Sequence, residues 1–184
     1  PGPPQVWLAV YVHRVNGLEP GLYALIRNPD HRFVLSAAGR RGPALHRPEN
    51  CPASLDFYCL VPGDFRSAAA RICCAQDLAG DGVFTVGMMA QFESVLIKNG
   101  PAAYPDLFLE CGLIGQILYL EAEAMGLNGT GIGCFFDDMV HDLMGIEDLS
   151  FQCLYHFTVG RALPDRRLKT MPPYGSKAAQ AAPG

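Results

Sequence analysis

Short runs of β-branched and aromatic residues, each bounded by turn residues, predict five β-strands. The first run, Val6–His13 (VWLAVYVH), ends just before Asn16-Gly17, and the last is Phe151–Val159 (FQCLYHFTV). Between them lie three further runs of the same kind: Gly21–Ile26, Arg32–Leu35 and Val83–Met89. Together with three helical segments they give the order β-β-β-α-β-α-α-β. This order fits an α+β fold better than a regular βαβ alternation, with helices packed on a mixed or antiparallel central sheet.

Three segments carry helix signals. Asp64–Cys74 is rich in alanine and begins with an expected N-cap, and Asp137–Met144 stops before Gly145. The strongest helical segment, Tyr104–Gly126, is apolar on nearly every side. A helix of that kind must be buried on every face, inside a large core or at a subunit interface. We therefore expect a long, buried central helix at a dimer interface.

Composition and charge narrow the class of protein. The 184 residues are 49% hydrophobic and 17% charged, which suits one folded domain over residues 1–174 and a disordered tail over 175–184. The net charge of −4 argues against a nucleic acid as the main partner, because binding phosphates requires clustered Lys and Arg. No apolar run approaches the ~20 residues of a membrane span, so no membrane contact is expected.

The seven cysteines cannot all pair with one another, and no two form a C-x-x-C motif. Cys73 and Cys74 are adjacent, an arrangement that suits neither a zinc knuckle nor a redox pair. Reduced and mostly buried thiols are the simplest interpretation, and they predict the cytoplasm or another reducing compartment. The chain opens Pro-Gly-Pro-Pro without an initiator Met, as expected of a processed product or of a domain cut from a longer chain.

A glycine-rich segment, Leu127–Cys134 (LNGTGIGC), follows the long helix directly. Glycines let backbone N–H groups approach a ligand with no Cβ in the way, so the segment has two interpretations. It is either a turn that ends the helix or a loop that holds an anion or the edge of a flat ring. It is not a dinucleotide-binding fingerprint, since it does not open a βαβ unit, and it lacks the Gly-Lys-Ser/Thr ending of a phosphate-binding loop.

Four side chains of the predicted helix Asp137–Met144 resemble a set of metal ligands. Asp138, His141 and Asp142 have the i, i+3, i+4 spacing of one helix face, and Asp137 precedes them. The alternative is structural, because acidic residues stabilise the first turn of a helix. We favour the structural alternative and expect no metal.

Several segments, in the right order, resemble the nitroreductase superfamily, and most closely its SagB-type, azoline-dehydrogenase-like branch. They cover most of residues 6–174. The segments are Leu18–Tyr23 (LEPGLY) after the first strand, Cys74–Asp77 (CAQD), Gly112–Gly126 (GLIGQILYLEAEAMG), Leu127–Asp138 (LNGTGIGCFFDD), Val159–Arg161 (VGR) and Met171–Tyr174 (MPPY).

The resemblance implies a nitroreductase-like fold whose homodimer interface builds two FMN sites from both subunits. By position, the backbone of Gly131, Ile132 and Gly133 would donate hydrogen bonds toward N5 and O4 of the flavin, with Gly129 and Thr130 in the same loop. Basic residues after the last strand would approach the phosphate or ribityl chain, namely Arg161 and Arg167. Two side chains are expected, on position alone, to line the substrate pocket: Lys98 and Tyr104.

The chain departs from the family pattern in two places. Members of the family usually begin with a helix carrying an Arg-x-Ser-x-Arg-like cluster that binds the FMN phosphate, then a Pro-Ser-x-Gly stretch, and neither is present here. In the Lys-Tyr pair associated with azoline oxidation, Lys98 is kept and Asn99 replaces the tyrosine. The chain lacks the charge-assisted phosphate contacts of the family, and azoline dehydrogenation is not expected.

Two functions follow as hypotheses. The first is an FMN-dependent oxidoreductase that passes hydride between NAD(P)H or an organic substrate and an acceptor such as a quinone, a nitro compound or oxygen. The second is a flavin-free or truncated domain of the same fold that serves as a dimerisation or partner-binding module. A companion chain or domain that supplies the phosphate-binding arginines would reconcile the retained glycine segment with the missing N-terminal one.

Overall fold

The alternation of side chains across short apolar runs builds one six-stranded sheet. The computed structural model describes residues 2–38, 45–169 and 171. Neighbouring strands are all antiparallel, in the order β3-β2-β1-β4-β6-β5. The strands are β1 (Val6–Val12), β2 (Gly21–Ile26), β3 (Asp56–Pro62), β4 (Phe84–Gln91), β5 (Asn128–Ile132) and β6 (Phe151–Gly160).

Helices cover both faces of this sheet. They are α1 (Phe33–Ala38), α2 (Arg66–Ile72), α3 (Leu78–Asp81), α4 (Glu93–Asn99), α5 (Tyr104–Ala124) and α6 (Asp137–Met144). Short 3-10 turns, Pro29–Arg32 and Pro101–Ala103, precede α1 and α5. The predicted α+β fold, an antiparallel sheet packed with helices and including one long helix, is therefore confirmed.

Strand β1 shows how the period of two creates two cores. Trp7 and Tyr11 pack on the face covered by α2, α3 and α6, whereas Val6 and Leu8 pack on the face covered by α5. All four side chains are buried. Because β1 lies inside the sheet, its two faces tie the helical layers into one body.

The strand predicted over Arg32–Leu35 is wrong. These residues belong to a 3-10 turn and to the start of α1. The Asn28 side-chain oxygen accepts a hydrogen bond of 3.1 Å from the Asp30 backbone N–H, and Pro29 supplies a backbone angle suited to a helix start. The local cap therefore decides the structure here, although the apolar pattern suggests a strand.

Helix α5 is buried along one face only. Leu107, Cys111 and Ile114 pack into the core, whereas the opposite face exposes an apolar stripe. This outer stripe consists of four residues that are 50–71% exposed in the single chain: Leu109, Leu113, Ile117 and Leu120. Burial on every side within the core of one chain is thus wrong for this helix, and its place at a dimer interface stays a prediction.

Other features agree with the sequence or lie outside the described part. Gly126, at φ +68°, follows the end of α5, and α6 has the predicted bounds. All seven cysteines are free thiols, and four of them are buried. None of the helices in the described ranges combines the length and apolarity of a membrane span. The predicted tail over 175–184 lies outside the described residues, as do residues 39–44 and residues 172–174 of the MPPY segment.

Candidate functional site at the glycine strand

The glycine-rich segment is a strand rather than a loop. Gly129, Thr130, Gly131 and Ile132 all lie in β5, which pairs with β6 and forms one edge of the sheet. An edge strand leaves one row of backbone donors and acceptors without a strand partner. The segment thus keeps its backbone available, as a ligand loop would, although its conformation is extended.

Aromatic side chains of β6 explain why glycines stand in this strand. A Cβ added at Gly129 would lie 2.5 Å from Cζ of Phe157, whose side chain is fully buried. A Cβ at Gly131 would overlap the hydroxyl oxygen of Tyr155. At Gly133 the nearest side-chain atom would lie 3.8 Å away, an ordinary contact. Packing therefore requires glycine at Gly129, whereas a side chain at Gly131 would need the half-buried Tyr155 ring to move, and Gly133 has room for one.

The N–H of Gly131 turns away from β6. It donates a hydrogen bond of 3.0 Å to the hydroxyl oxygen of Tyr119 on α5. The Tyr119 ring packs edge-on against Phe157, with ring centroids 4.7 Å apart, and the side chain is partly exposed. Among the residues predicted to bind the flavin, Gly131 is thus the one whose backbone N–H has a side-chain partner outside the sheet. That partner is the hydroxyl of Tyr119, a partly exposed side chain.

Two of the predicted cofactor residues line one cleft at the end of the glycine strand. Thr130 and Arg161 border a cavity of about 290 Å³, which also contacts Asn128, Gly160 and Asp81. Arg161 is exposed, and no acidic side chain of the described chain lies within ion-pairing distance of it. The cleft therefore offers a hydroxyl and a cation beside the strand, with one carboxylate at its rim.

Arg167 does not line this cleft. Its guanidinium forms an ion pair of 2.7 Å with Asp165, two residues away, and the side chain is almost fully exposed. This pairing raises the pKa of Arg167 and lowers the pKa of the Asp165 carboxyl. Binding of a phosphate by Arg167 stays a prediction, and it would require this local pair to open.

The two residues predicted for the substrate pocket lie at the other end of α5. Lys98 is in the last turn of α4, and Tyr104 begins α5, where its ring packs against Phe92 and Phe108. Tyr119 is fifteen positions after Tyr104, which corresponds to about 22 Å along the helix. Within one chain, the structure does not bring these side chains to the Gly131 donor.

Buried histidines do not supply a general base to this strand. His156 on β6 packs against Tyr11 and Phe135, and burial lowers its pKa to about 4. Burial also lowers the pKa values of His13 and His31. Histidines held neutral in the core are structural, and none of these three lines the cleft beside β5.

The acidic residues of α6 are not gathered as metal ligands. The two carboxylate oxygens of Asp137 accept hydrogen bonds from the Asp138 N–H and, at 2.8 Å, from Gln152 Nε2. The described ranges contain one group of three potential metal ligands whose ligand atoms all lie within 4.8 Å of one another. It consists of Glu19, His46 and Cys59, near β2 and β3 and away from α6. The structural interpretation of the first turn of α6 is therefore supported by the contacts of Asp137.

Comparison with known families now adds to this geometry. The model of the family described as "Nitroreductase family" matches residues 53–161, more than half of the chain and the part that contains β3 to β6. The chain belongs to the nitroreductase family. No curated protein matches it.

Solved structures share the nitroreductase fold at low sequence identity. A protein assigned to the nitroreductases from Anabaena variabilis superposes with a TM-score of 0.67 and 24% identity, over 86% of this chain and 27% of that one. A second such protein, from Ralstonia eutropha, gives 0.55 and 15%, over 88% and 60%. A chain of the E. coli microcin synthetase McbBCD complex, solved with truncated pro-MccB17, gives 0.53 and 17%, over 86% and 52%.

The comparisons also show how this nitroreductase-family chain relates in size to its neighbours. It spans between 27% and 60% of the length of these three structures. Sequence reasoning missed the strand character of the glycine segment and the hydrogen bond from Gly131 to Tyr119. The aromatic residues at alternate positions of FQCLYHFTV, Tyr155 and Phe157, were the signal that could have revealed the strand.

Proposed function

We propose that the chain is the core of a flavin-dependent oxidoreductase, in which FMN lies against the open edge of β5 and two copies meet along the outer stripe of α5. The observation that carries this proposal is the Gly131 N–H, which points away from the sheet and is engaged by a side chain instead of a strand. Membership of the nitroreductase family supports the choice of ligand.

The residues present fit the edge of a flavin ring at this one atom. The Tyr119 hydroxyl oxygen lies 3.0 Å from the Gly131 nitrogen, where an acceptor atom of a ligand would lie. Tyr119 is partly exposed, so its side chain can rotate away and release the donor. Ile132 and Gly133 continue the same backbone, and Gly133 has room beside it.

When bound, FMN would supply hydride transfer between NAD(P)H or an organic substrate and an acceptor. The residues of this chain would supply placement and charge. The Gly131 N–H would orient the ring edge through a directional hydrogen bond. Arg161 would attract an anionic group into the cleft beside Thr130, at a position exposed to solvent.

A second copy of the chain would complete the site. A two-fold axis across α5 would place the first turn of one helix beside the last turns of the other. Lys98 and Tyr104 of one copy would then approach Gly131 of its partner, although they lie far from Gly131 in their own chain. The outer stripe suits such a contact, because it is apolar and because Gly112 has no atom within 4 Å of a Cβ position.

Titration of the purified chain with FMN, followed by visible absorption and then by addition of NADH, tests the cofactor. We expect saturable binding and bleaching of the flavin. Tyr119→Phe frees the Gly131 donor and should tighten FMN binding by up to about tenfold, the value of one hydrogen bond. Tyr58→Phe, which removes a hydroxyl from the other edge strand, is the matched control and should change nothing.

An affinity for FMN that Tyr119→Phe leaves unchanged would show that Gly131 does not hold the flavin. Absence of any FMN binding by a folded chain would reject the cofactor itself.

Sedimentation of the Gly112→Arg variant tests the shared site. Arginine favours helix formation over glycine and has free space here, so the single chain should fold, whereas a close helix pair should separate. Leu149→Arg, at an exposed apolar residue outside α5, is the control. A wild-type chain that remains a monomer at high concentration would contradict the dimeric site.

A flavin-free role is a second candidate, and a specific observation favours it. The spaces beside Gly129 and Gly131 are filled by Phe157 and Tyr155 of the same chain, and Tyr119 already satisfies the Gly131 donor. A colourless protein that still dimerises through the outer stripe would support this dimerisation or partner-binding role. In that case a companion chain or domain would carry the chemistry.

Finer placement within the family is part of the proposal. The quoted motifs and the fold shared with a chain of the microcin synthetase complex support the SagB-type branch. Asn99 in place of the tyrosine of the Lys-Tyr pair leaves azoline oxidation outside the proposal. Free thiols throughout support the cytoplasm or another reducing compartment.

A further inference from the structure

The turn between α2 and α3 has an unusual backbone. Cys74 and Ala75 are consecutive and have φ values of +56° and +57°. They are the two non-glycine residues with positive φ in the described chain. A Cβ in this left-handed region clashes with the following carbonyl, so each residue is strained. Strain of this kind persists only where the surrounding structure holds the turn in place.

Contacts with the segment that follows β5 hold this turn. The Gln76 Nε2 donates hydrogen bonds of 2.8 Å to the Cys73 carbonyl and 3.2 Å to the Cys134 carbonyl. The Phe136 N–H donates a hydrogen bond of 2.8 Å to the Ile72 carbonyl. Two chain segments about sixty residues apart are thereby joined at Cys134 and at Phe136.

These contacts bring two thiols together. Ile72 and Phe136 are each two residues from one of these cysteines, and Gln76 reaches the backbone of Cys134, so the hydrogen bonds place Cys74 beside Cys134. Interaction with the neighbouring Cys134 thiol raises the pKa of the Cys74 thiol. Cys134 is exposed and Cys74 is half-buried, so solvent reaches the pair. The four buried cysteines are Cys59, Cys73, Cys111 and Cys153, and Cys51 has Arg47 and two backbone carbonyls as its sulfur contacts. The pair is therefore the accessible dithiol of the chain.

We propose that Cys74 and Cys134 are a redox-active dithiol that closes to a disulfide when a peroxide oxidises Cys134, and that a thiol reductant reopens it. Exposed Cys134 meets the oxidant first, and Cys74 is held beside it as the resolving thiol. The proposal does not depend on a bound flavin.

The chemistry balances with hydrogen peroxide as the oxidant. The Cys134 thiolate attacks one peroxide oxygen, so that the S–O bond forms, the O–O bond breaks and hydroxide leaves. The Cys74 sulfur then attacks the Cys134 sulfur, forming the S–S bond and releasing the oxygen as a second hydroxide. The protons lost by the two thiols convert both hydroxides to water. The two sulfur atoms lose two electrons in total, and one peroxide is reduced to two waters.

The disulfide would join the α2–α3 turn to the residue directly after Gly133. It would fix the exit of the glycine strand against the layer of α2 and α3, on a loop of about sixty residues. Long loops lose much chain entropy when they are closed. We therefore expect the oxidised protein to melt at a higher temperature than the reduced protein.

Differential alkylation of the full chain tests the proposal. Reduced protein is treated with hydrogen peroxide, the remaining thiols are alkylated, and peptides are identified by mass spectrometry without reduction. We expect a linked peptide containing Cys74 and Cys134, the loss of two alkylated thiols, and recovery of both with dithiothreitol. Cys51→Ser removes the other partly accessible thiol and should leave the linked peptide unchanged.

Two variants separate chemistry from folding. Cys74→Ser should stop the reaction at Cys134 sulfenic and sulfinic acids, because the resolving sulfur is gone. Cys74→Gly suits the positive φ and should give the same products in a chain that folds at least as well. Overoxidation of Cys134 in the wild type with no linked peptide would overturn the proposal. So would the same Cys134 products in the wild type and in Cys74→Gly.

Discussion

Strand β6 pairs with β4 on one side and with β5 on the other, and the two pairings are filled differently. Along β4 the partners of β6 include large side chains buried on the two faces, such as Met88 and Met89, and a single glycine, Gly87, which lies beside the His156 ring. Along β5 the partners include glycines, and rings from β6 itself fill the space above them. Around β4, in the interior of the sheet, both the side chains and the backbone are thus buried. At the edge strand β5 the aromatic rings of β6 are packed, but one row of backbone groups of β5 has no strand partner.

We therefore expect the interior strands to determine the stability of the fold and the edge strand β5 to determine ligand binding. In the centre, each polar group without a partner is a cost, as at His156, whose Nε2 has none. At the edge, a polar group facing outward can exchange a side-chain partner for a ligand, as we propose for Gly131. Changes in the centre should therefore alter stability most, and changes at the edge should alter binding most.

The largest effect should come from acid acting on the centre. Burial lowers the pKa of His156 to about 4, whereas an unfolded histidine titrates near 6.5. The folded state therefore keeps His156 neutral, whereas the unfolded state takes up a proton below pH 6.5. The folded state loses stability relative to the unfolded state as the pH falls from 6.5 toward 4. Over that window the free energy of unfolding should fall by about 3 kcal/mol from this residue.

Urea unfolding at several pH values between 7 and 4 measures this decline. His156→Phe keeps a ring between Tyr11 and Phe135 and should reduce the pH dependence of the free energy of unfolding. A smaller pH dependence should remain, because burial also lowers the pKa values of His13 and His31. Equal slopes for the wild type and this variant would show that His156 is not the group that titrates.

A methyl group at Gly129 should give the next largest effect. The new Cβ would lie 2.5 Å from Cζ of buried Phe157 and 3.2 Å from Cδ1 of Tyr119. The ring must shift within a packed core, so Gly129→Ala should lower stability by about 2 kcal/mol. Thermal melting and urea unfolding both report this loss. If Gly129→Ala were neutral, the aromatic rings would not be what requires glycine in β5.

Glycine at position 75 should stabilise the turn between α2 and α3, which contacts the residues that follow β5. Ala75 adopts φ +57°, so Ala75→Gly removes a clash while adding some freedom to the unfolded chain. We expect a gain of about 0.5 kcal/mol in the free energy of unfolding. Ala70→Gly, inside α2, is the matched control and should destabilise by about 1 kcal/mol. Loss of stability in both variants would contradict strain at Ala75.

The smallest effect is expected at Gly133. The nearest atom to an added Cβ lies 3.8 Å away, and φ is not in the left-handed region, so Gly133→Ala should change stability by no more than about 0.5 kcal/mol. The same variant should weaken FMN binding if the ligand packs against this backbone. A change in stability as large as that of Gly129→Ala would remove the distinction between the two glycines.

The sequence predicted those elements whose signals are local and strong. Gly21–Ile26 and Asp137–Met144 have their predicted bounds, because a hydrophobic run or a helical stripe lies between clear turn residues. The segment Asp56–Pro62 was not recognised as a strand because it lies among prolines and glycines. Arg32–Leu35 was assigned to the wrong type, since the cap formed by Asn28 outweighed its apolar pattern.

The candidate site was harder to predict than the fold. The position of the glycine segment after the long helix was readable, but its extended conformation depends on rings from a strand about thirty residues later. The contact between Cys74 and Cys134 joins residues about sixty positions apart, and nothing in the local sequence of either one signals the other.

The strand order has a consequence for how the chain folds. Strands β1, β2 and β3 are neighbours in sequence and in the sheet, so this meander can form as soon as residue 62 is made. The other side of β1 waits for β4, whose residues 84–91 come about seventy positions after β1 ends. Until then β1 presents an open apolar edge, which invites pairing with another chain. Nascent chains should therefore aggregate most readily when synthesis stops between the third and fourth strands.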